Sequence, residues 1–165
     1  GGELILNNKI NLKNRENDWH KLIGYVPQRV FLQDDSIKNN IAFGEHEHEI
    51  NKENLLKSIR SSQLENFILS LKDGLDTKVG ENASKLSGGQ IQRIGIARAL
   101  YLDPEILFLD EITSSLDAKT EQEILSLIKS LKKEKTIIFI THNKSNLEIC
   151  DEVYEVNNQN LIKKK

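Results

Sequence analysis

The stretch KLSGGQIQRIGIARALYLDPEILFLDEITSSLD, Lys85 to Asp117, decides how this chain is read. It divides into a helix start, a helix, a break, a short apolar strand and an acidic loop. Ser87 suits the helix N-cap, because its hydroxyl can accept from an otherwise unpaired N–H of the first turn. Gly88 and Gly89 let another group come close to the backbone. Free N–H groups and the helix dipole make such an end a seat for phosphate. Ile91, Ile94, Ala97 and Leu100 recur at helical spacing, which predicts one inward face. Asp103-Pro104 breaks the helix. Ile106-Leu107-Phe108-Leu109 predicts a parallel strand covered on both faces. That strand runs into Asp110-Glu111, and carboxylates at the carboxyl end of a buried strand sit where open α/β sheets bind ligands. One of the pair can hold a hydrated magnesium ion, which takes oxygen ligands and keeps several waters. The other can orient or deprotonate an attacking water.

LSGGQ, then QR, ARAL, an apolar strand, DE and SSLD, in that order and spacing, closely resemble the signature motif, Walker B strand and D-loop of the nucleotide-binding domain of ABC transporters. The five letters LSGGQ alone would be a weak match; the ordered composite is specific.

The rest of the composition is compatible with this. The chain has 165 residues, enough for one domain with a core. A net charge of −2 gives no overall basic character, and no nucleic-acid partner is expected. A single cysteine, Cys150, excludes an internal disulfide and fits a reducing compartment. No apolar run approaches the ~20 residues of a membrane span. Methionine is absent, even at position 1, so the chain is expected to be a piece of a longer protein.

Taken in order, Glu3 to Leu12 predicts a β-hairpin turning at Asn7-Asn8. Leu22 to Val26 predicts a strand that ends at Pro27-Gln28. The run GYVPQRVFLQDDSIKNNIAFG resembles the Q-loop region of ABC exporters, where a short N-I-A-x-G segment follows the loop. His46 and His48 alternate with glutamates, but no further ligand at metal spacing supports them, and a solvated loop is expected. Leu55, Leu56 and Ile59 predict one helix; Leu64, Phe67, Ile68 and Leu71 predict a second. Val79-Gly80-Glu81 resembles part of the exporter X-loop, with Ala83 where a glycine is common. After Asp117, Ile124, Leu127, Ile128 and Leu131 line a helix. Thr136 to Ile140 predicts another buried strand, which delivers Thr141-His142 to the same carboxyl edge. His142 matches the family's H-loop, or switch histidine, although Asn143 stands where exporters often have arginine. Cys150 to Ile162 predicts a closing hairpin.

The resemblance covers essentially the whole chain and implies an α/β fold, P-loop NTPase-like (RecA-like), with a mainly parallel sheet and an inserted α-helical subdomain. Residues 1–28 would carry the hairpin and Q-loop strand, 29–100 the mainly helical subdomain with the signature, and 101–165 the catalytic core. No G-x-x-x-x-G-K-[ST] phosphate loop occurs. In the family it precedes the first hairpin, so it is expected upstream of Gly1, and the fold is expected to be incomplete at its N-terminus. Two outcomes are expected of the chain by itself: no ATP turnover, and low solubility or self-association from an uncovered slot in its sheet.

The family implies ATP and Mg²⁺ as the bound species. It implies a head-to-tail pair with a second nucleotide-binding domain, in which Ser87, Gly88, Gly89 and Gln90 meet the γ-phosphate of the partner's ATP. By the same resemblance Asp110 and Gln28 serve the metal, Glu111 is the base, His142 contacts the γ-phosphate and Asp117 connects the two sites. The Q-loop region would face a transmembrane domain, placing the chain at the cytoplasmic face of a membrane and giving it the function of powering export. The alternatives are a soluble ABC ATPase acting on ribosomes or chromosomes, or an importer subunit. The short interval from Gln28 to Ser87 disfavours chromosome-maintenance relatives, which insert a long coiled coil there.

Overall fold

The computed structural model describes residues 5–6, 10–11, 22–80 and 83–165. Strands β1 (Ile5–Leu6) and β2 (Ile10–Asn11) pair antiparallel, as a hairpin there requires. Strand β3 (Ile23–Val26) pairs in parallel with β4 (Ile106–Asp110), which pairs in parallel with β5 (Thr136–Ile140). The order β3-β4-β5 puts Pro27-Gln28, Asp110-Glu111 and Thr141-His142 at one edge.

The region between β3 and β4 is helical. It contains α1 (Ile37–Ile41), α2 (Lys52–Ser61), α3 (Glu65–Ser70) and α4 (Gly88–Leu100). Asn51 caps α2 by accepting from the N–H groups of Glu53 and Asn54. Helix α5 (Ala118–Leu131) crosses from β4 to β5. Beyond β5 a 3₁₀ helix spans Lys144–Ile149, followed by an antiparallel hairpin of β6 (Tyr154–Asn157) and β7 (Asn160–Lys163). Its turn residues Asn158 and Gln159 have φ of 46° and 64°, the left-handed pair that a two-residue hairpin needs. Among the described residues no helix is long and apolar enough to cross a membrane.

Two apolar cores meet at α4. Ile94 and Ala97 pack with Ile37, Ile41, Leu55, Ile59 and Leu64 of the helical region. Ile96 and Leu100 pack with Val26, Leu107, Leu109, Ile124 and Leu127 beside the sheet. The helix therefore buries two faces, where the spacing of Ile91, Ile94, Ala97 and Leu100 predicts one. Gly89, Gln92 and Gly95 are buried too, so small and polar residues lie inside where an apolar stripe is blind to them.

Two strands differ from expectation. Leu107 and Leu109 of β4 are fully buried, but Ile106 and Phe108 on the other face are only partly so. In β5, Ile138 and Ile140 are 42% and 46% exposed, and Tyr25 of β3 is 56% exposed. Helices α4 and α5 cover one face of the described sheet; the other is open along Tyr25, Phe108 and Ile138. An apolar run such as Thr136-Ile137-Ile138-Phe139-Ile140 implies burial on both faces only when layers exist on both sides.

Candidate functional site

Glu111 is the centre of the acidic edge. Its backbone is left-handed, with φ of 48°, an uncommon state for a residue with a Cβ. Its N–H donates to the Ile140 carbonyl at 2.9 Å, which holds the residue on the end of β5. Each carboxylate oxygen then has a partner. Gln28 Nε2 donates to Oε2 at 3.0 Å, and His142 Nε2 lies 2.7 Å from Oε1. Gln28 Nε2 also donates to Ser114 Oγ at 3.2 Å. Gln28, Glu111 and His142, which follow three different strands, are thus brought together around one carboxylate. The Glu111 side chain is 23% exposed and that of His142 87%, so the group opens outward.

Asp110 stands beside them, on the open face of the sheet. Its Oδ2 accepts from the Tyr25 hydroxyl at 3.0 Å. That bond, more than desolvation or the carboxylate's charge, holds the Tyr25 phenol above its ordinary range. Among the described residues no cluster of three or more His, Cys, Asp or Glu forms a metal cage. One strand-end carboxylate, Asp110, fits a cation that keeps most of its water and shares phosphate oxygens, as Mg²⁺ does.

The signature residues form a second group. Ser87 caps α4 with a complete capping box: Gln90 N–H donates to Ser87 Oγ at 3.3 Å, and Ser87 N–H donates to Gln90 Oε1 at 2.8 Å. Both side chains act as acceptors in this exchange, so among the described residues the N–H groups of Gly88 and Gly89, the Ser87 hydroxyl and Gln90 Nε2 are left as unused donors. Ser87 and Gly88 are exposed. Among the described residues no hydrogen bond joins this group to Glu111, Gln28 or His142.

Asp117 is the N-cap of α5, a role the SSLD pattern alone does not reveal. Its carboxylate accepts from the N–H groups of Lys119 and Thr120 and from Thr120 Oγ1 at 2.6 Å. Those bonds, with Thr120 foremost, hold its carboxyl below the usual aspartate range. Thr120 in turn lies against the signature: a Cβ on Gly89 would come 2.5 Å from Thr120 Cγ2. Since Asp117 pins the threonine rotamer, the methyl cannot swing away cheaply. Gly89→Ala is therefore expected to cost about 1–3 kcal/mol of domain stability. Thr120→Ser, which deletes that methyl and keeps the hydroxyl, should recover most of the loss. A double-mutant melting cycle checks this, and additivity of the two changes would refute the contact.

Other residues tie the signature helix to the segment after Gln28. Gln92 Nε2 donates to the Gln28 carbonyl at 3.3 Å. Gly95 admits Val30, whose Cγ2 would lie 2.5 Å from a Cβ there. Arg98 donates to the carbonyls of Asn40 and Phe31 at 2.7 and 2.9 Å and stacks over Phe43. The signal for these residues is present in the sequence as polar and small positions that interrupt the apolar faces of IQRIGIARAL. Asn143 also has a local reason. It caps the 3₁₀ helix by accepting from Ser145 N–H at 3.1 Å. Glu81, of the X-loop resemblance, lies outside the described residues.

A parallel α/β sheet with acids, an amide and an imidazole at the carboxyl edge, and a glycine-rich helix start held apart from them, defines a ligand-handling α/β domain. The sequence pattern of ABC transporters matches residues 1–114, and the chain belongs to that family. It is 44% identical, over 84% of its length, to an ATP-dependent lipid A-core flippase of Idiomarina loihiensis. It is 39% identical, over 99% of its length, to ABC transporter B family member 6 of Dictyostelium discoideum. The chain spans 24% of the length of each of these relatives. Its fold is similar to that of a bacterial Atm1-family ABC exporter solved with ATP bound, with a TM-score of 0.81, 33% identity, and coverage of 98% of this chain and 28% of that one.

Proposed function

We propose that this chain is the catalytic and signature-bearing portion of an ATP-hydrolysing domain that powers an ABC exporter at the cytoplasmic face of a membrane. The single observation that carries the reading is the Glu111 carboxylate, gripped by Gln28 and His142 at the carboxyl edge of a parallel sheet. The exporter relatives favour this over an importer or a soluble ATPase acting on ribosomes or chromosomes.

The chemistry asked of these residues is positioning and charge management. A water next to Glu111 attacks the γ-phosphorus of ATP and passes a proton to the carboxylate. The bond from the γ-phosphorus to the bridging oxygen breaks, leaving ADP and phosphate. Gln28 and His142 hold the carboxylate so that its basic oxygen points at that water. The exposed imidazole of His142 would contact a γ-phosphate oxygen. Asp110 and the Gln28 amide oxygen would hold Mg²⁺, which when bound neutralises charge on the phosphate oxygens. Ser87, Gly88, Gly89 and Gln90 present a helix N-terminus to the nucleotide of a second, head-to-tail domain, with Asp117 linking the two sites. The exposed Phe31 and Phe43, in the segment clasped by Arg98, offer apolar anchors to a transmembrane domain.

The test is Mg²⁺-dependent ATP hydrolysis by the full-length protein in lipid vesicles. No turnover there overturns the reading. The 165 residues alone contain no phosphate loop and are expected to show no turnover under the same conditions; a measurable rate from them would contradict the division of labour proposed here.

A further inference from the structure

The turn that carries His142 is held by a polar cluster, centred on one buried asparagine, outside the contacts described so far. Asn146 of the 3₁₀ helix is fully buried. Its Nδ2 lies 3.0 Å from Thr113 Oγ1, 3.1 Å from Glu121 Oε1 and 3.3 Å from Thr141 Oγ1. Its Oδ1 accepts from Ser145 Oγ at 3.3 Å. Glu121 Oε1 also accepts from Asn143 Nδ2 at 3.2 Å. Thr141 and Asn143 are the two neighbours of His142 in the chain. Thr113 follows the acidic pair, and Glu121 lies in the first turn of α5. One amide and one carboxylate thus join the histidine turn, the Walker B loop and α5.

We propose that Asn146, paired with Glu121, is a positioning residue for His142. This rests on the hydrolytic reading above. The His142 side chain is 87% exposed, and among the described residues Glu111 is its only polar partner. Its place must therefore be set by the backbone on either side. Both neighbours are fastened to the Asn146–Glu121 pair. A buried amide has two N–H groups to satisfy, and desolvated donors left without acceptors are costly. Moving the turn away from Glu111 would pull Thr141 Oγ1 off the Asn146 amide and the Asn143 amide off Glu121, so the cluster favours one position of the turn. It acts through geometry: among the described residues, neither Asn146 nor Glu121 hydrogen-bonds to Glu111, Gln28 or Asp110.

The experiment uses the full-length protein in vesicles. Asn146→Asp sets a carboxylate against Glu121 and removes the amide donors. It should lower kcat about 10–100-fold, the scale of a small misplacement of a reacting group, and leave ATP affinity nearly unchanged. Adding Glu121→Gln supplies an amide facing the new carboxylate, the same bond with donor and acceptor exchanged, and should restore most of the lost turnover. Glu121→Ala, which buries no new charge, covers the case in which Asn146→Asp fails to fold; its kcat should fall while ATP affinity holds, with at most the modest drop in melting temperature that one unpaired Asn146 donor brings. Turnover within about twofold of wild type in these variants would overturn the proposal, since a misplaced reacting group costs far more than that. Turnover, ATP affinity and melting temperature falling together without rescue would also overturn it, because that is the signature of a purely structural role. If the wild-type protein hydrolyses no ATP, the functional reading fails by itself. Amide hydrogen exchange across residues 136–150 then reads the latch directly. Exchange should rise in Asn146→Asp and return in the double variant; unchanged exchange overturns the latch.

Discussion

Glu111→Gln should reduce ATP turnover by the full-length protein about 10²–10⁴-fold, the range assigned to a positioned general base. The substitution keeps the length and shape of the side chain. It removes the negative charge and the basicity that lets an oxygen take a proton from water. It also disturbs the contacts on both oxygens, because an amide can accept at one position only. With Gln28 Nε2 donating at 3.0 Å on one side, the amide oxygen goes to Gln28 and the NH₂ turns toward His142. ATP binding is expected to persist, because phosphate and metal contacts fall to other residues. The left-handed backbone at this position is equally strained for glutamate and glutamine, so the melting temperature should hold. Measuring bound ATP and released phosphate on the same sample separates binding from chemistry. Undiminished phosphate release would take Glu111 out of the base role.

Gly24→Ala should be the most destabilising small change in the sheet. A Cβ at Gly24 would lie 2.5 Å from the Ala99 carbonyl oxygen, 2.7 Å from Leu107 Cδ2 and 2.9 Å from Pro104 Cγ. The first is backbone at the end of α4 and cannot rotate away; the third is a ring in the turn that leads into β4. Strand β3 would have to move off its neighbours, which costs at least the usual 1–3 kcal/mol or so of overpacking. For a domain of this size each kcal/mol lowers the melting temperature by roughly 2–4 °C. The consequence reaches the site, because β3 leads directly to Gln28. Thermal unfolding checks the stability effect, and a melting temperature within a degree or so of wild type would show that the strand relaxes more easily than close packing allows.

Much of the fold could be read from local chemistry. The capping serine before two glycines, the apolar strand ending in Asp110-Glu111, and the periodic leucines of α2 and α5 each carry their own signal. The meeting of Glu111 and His142 could be anticipated because both follow apolar strands, and parallel strands bring their carboxyl ends to one edge; Gln28 is expected there only by the family resemblance. What was not legible has physical reasons. Helix α1 is five residues long, too short for an apolar period, and its sequence IKNNI reads as loop. Asp117 and Asn143 act as caps, and capping depends on where a helix begins more than on the residue alone. The positive φ of Glu111 leaves no trace in a glutamate. Asn146 finds Thr113 and Glu121 across 33 and 25 positions, and no periodicity reports a contact of that kind.

Helix α4 forms a wall of both cores, with Ile94 and Ala97 in one and Ile96 and Leu100 in the other. Melting of either core is expected to weaken its neighbour, because each would lose a shared partition. The helical region and the sheet should therefore behave as one cooperative unit, and the signature cannot be excised on a self-standing helical piece. A tilt of that helix would disturb packing on both sides, because its side chains stand in each core.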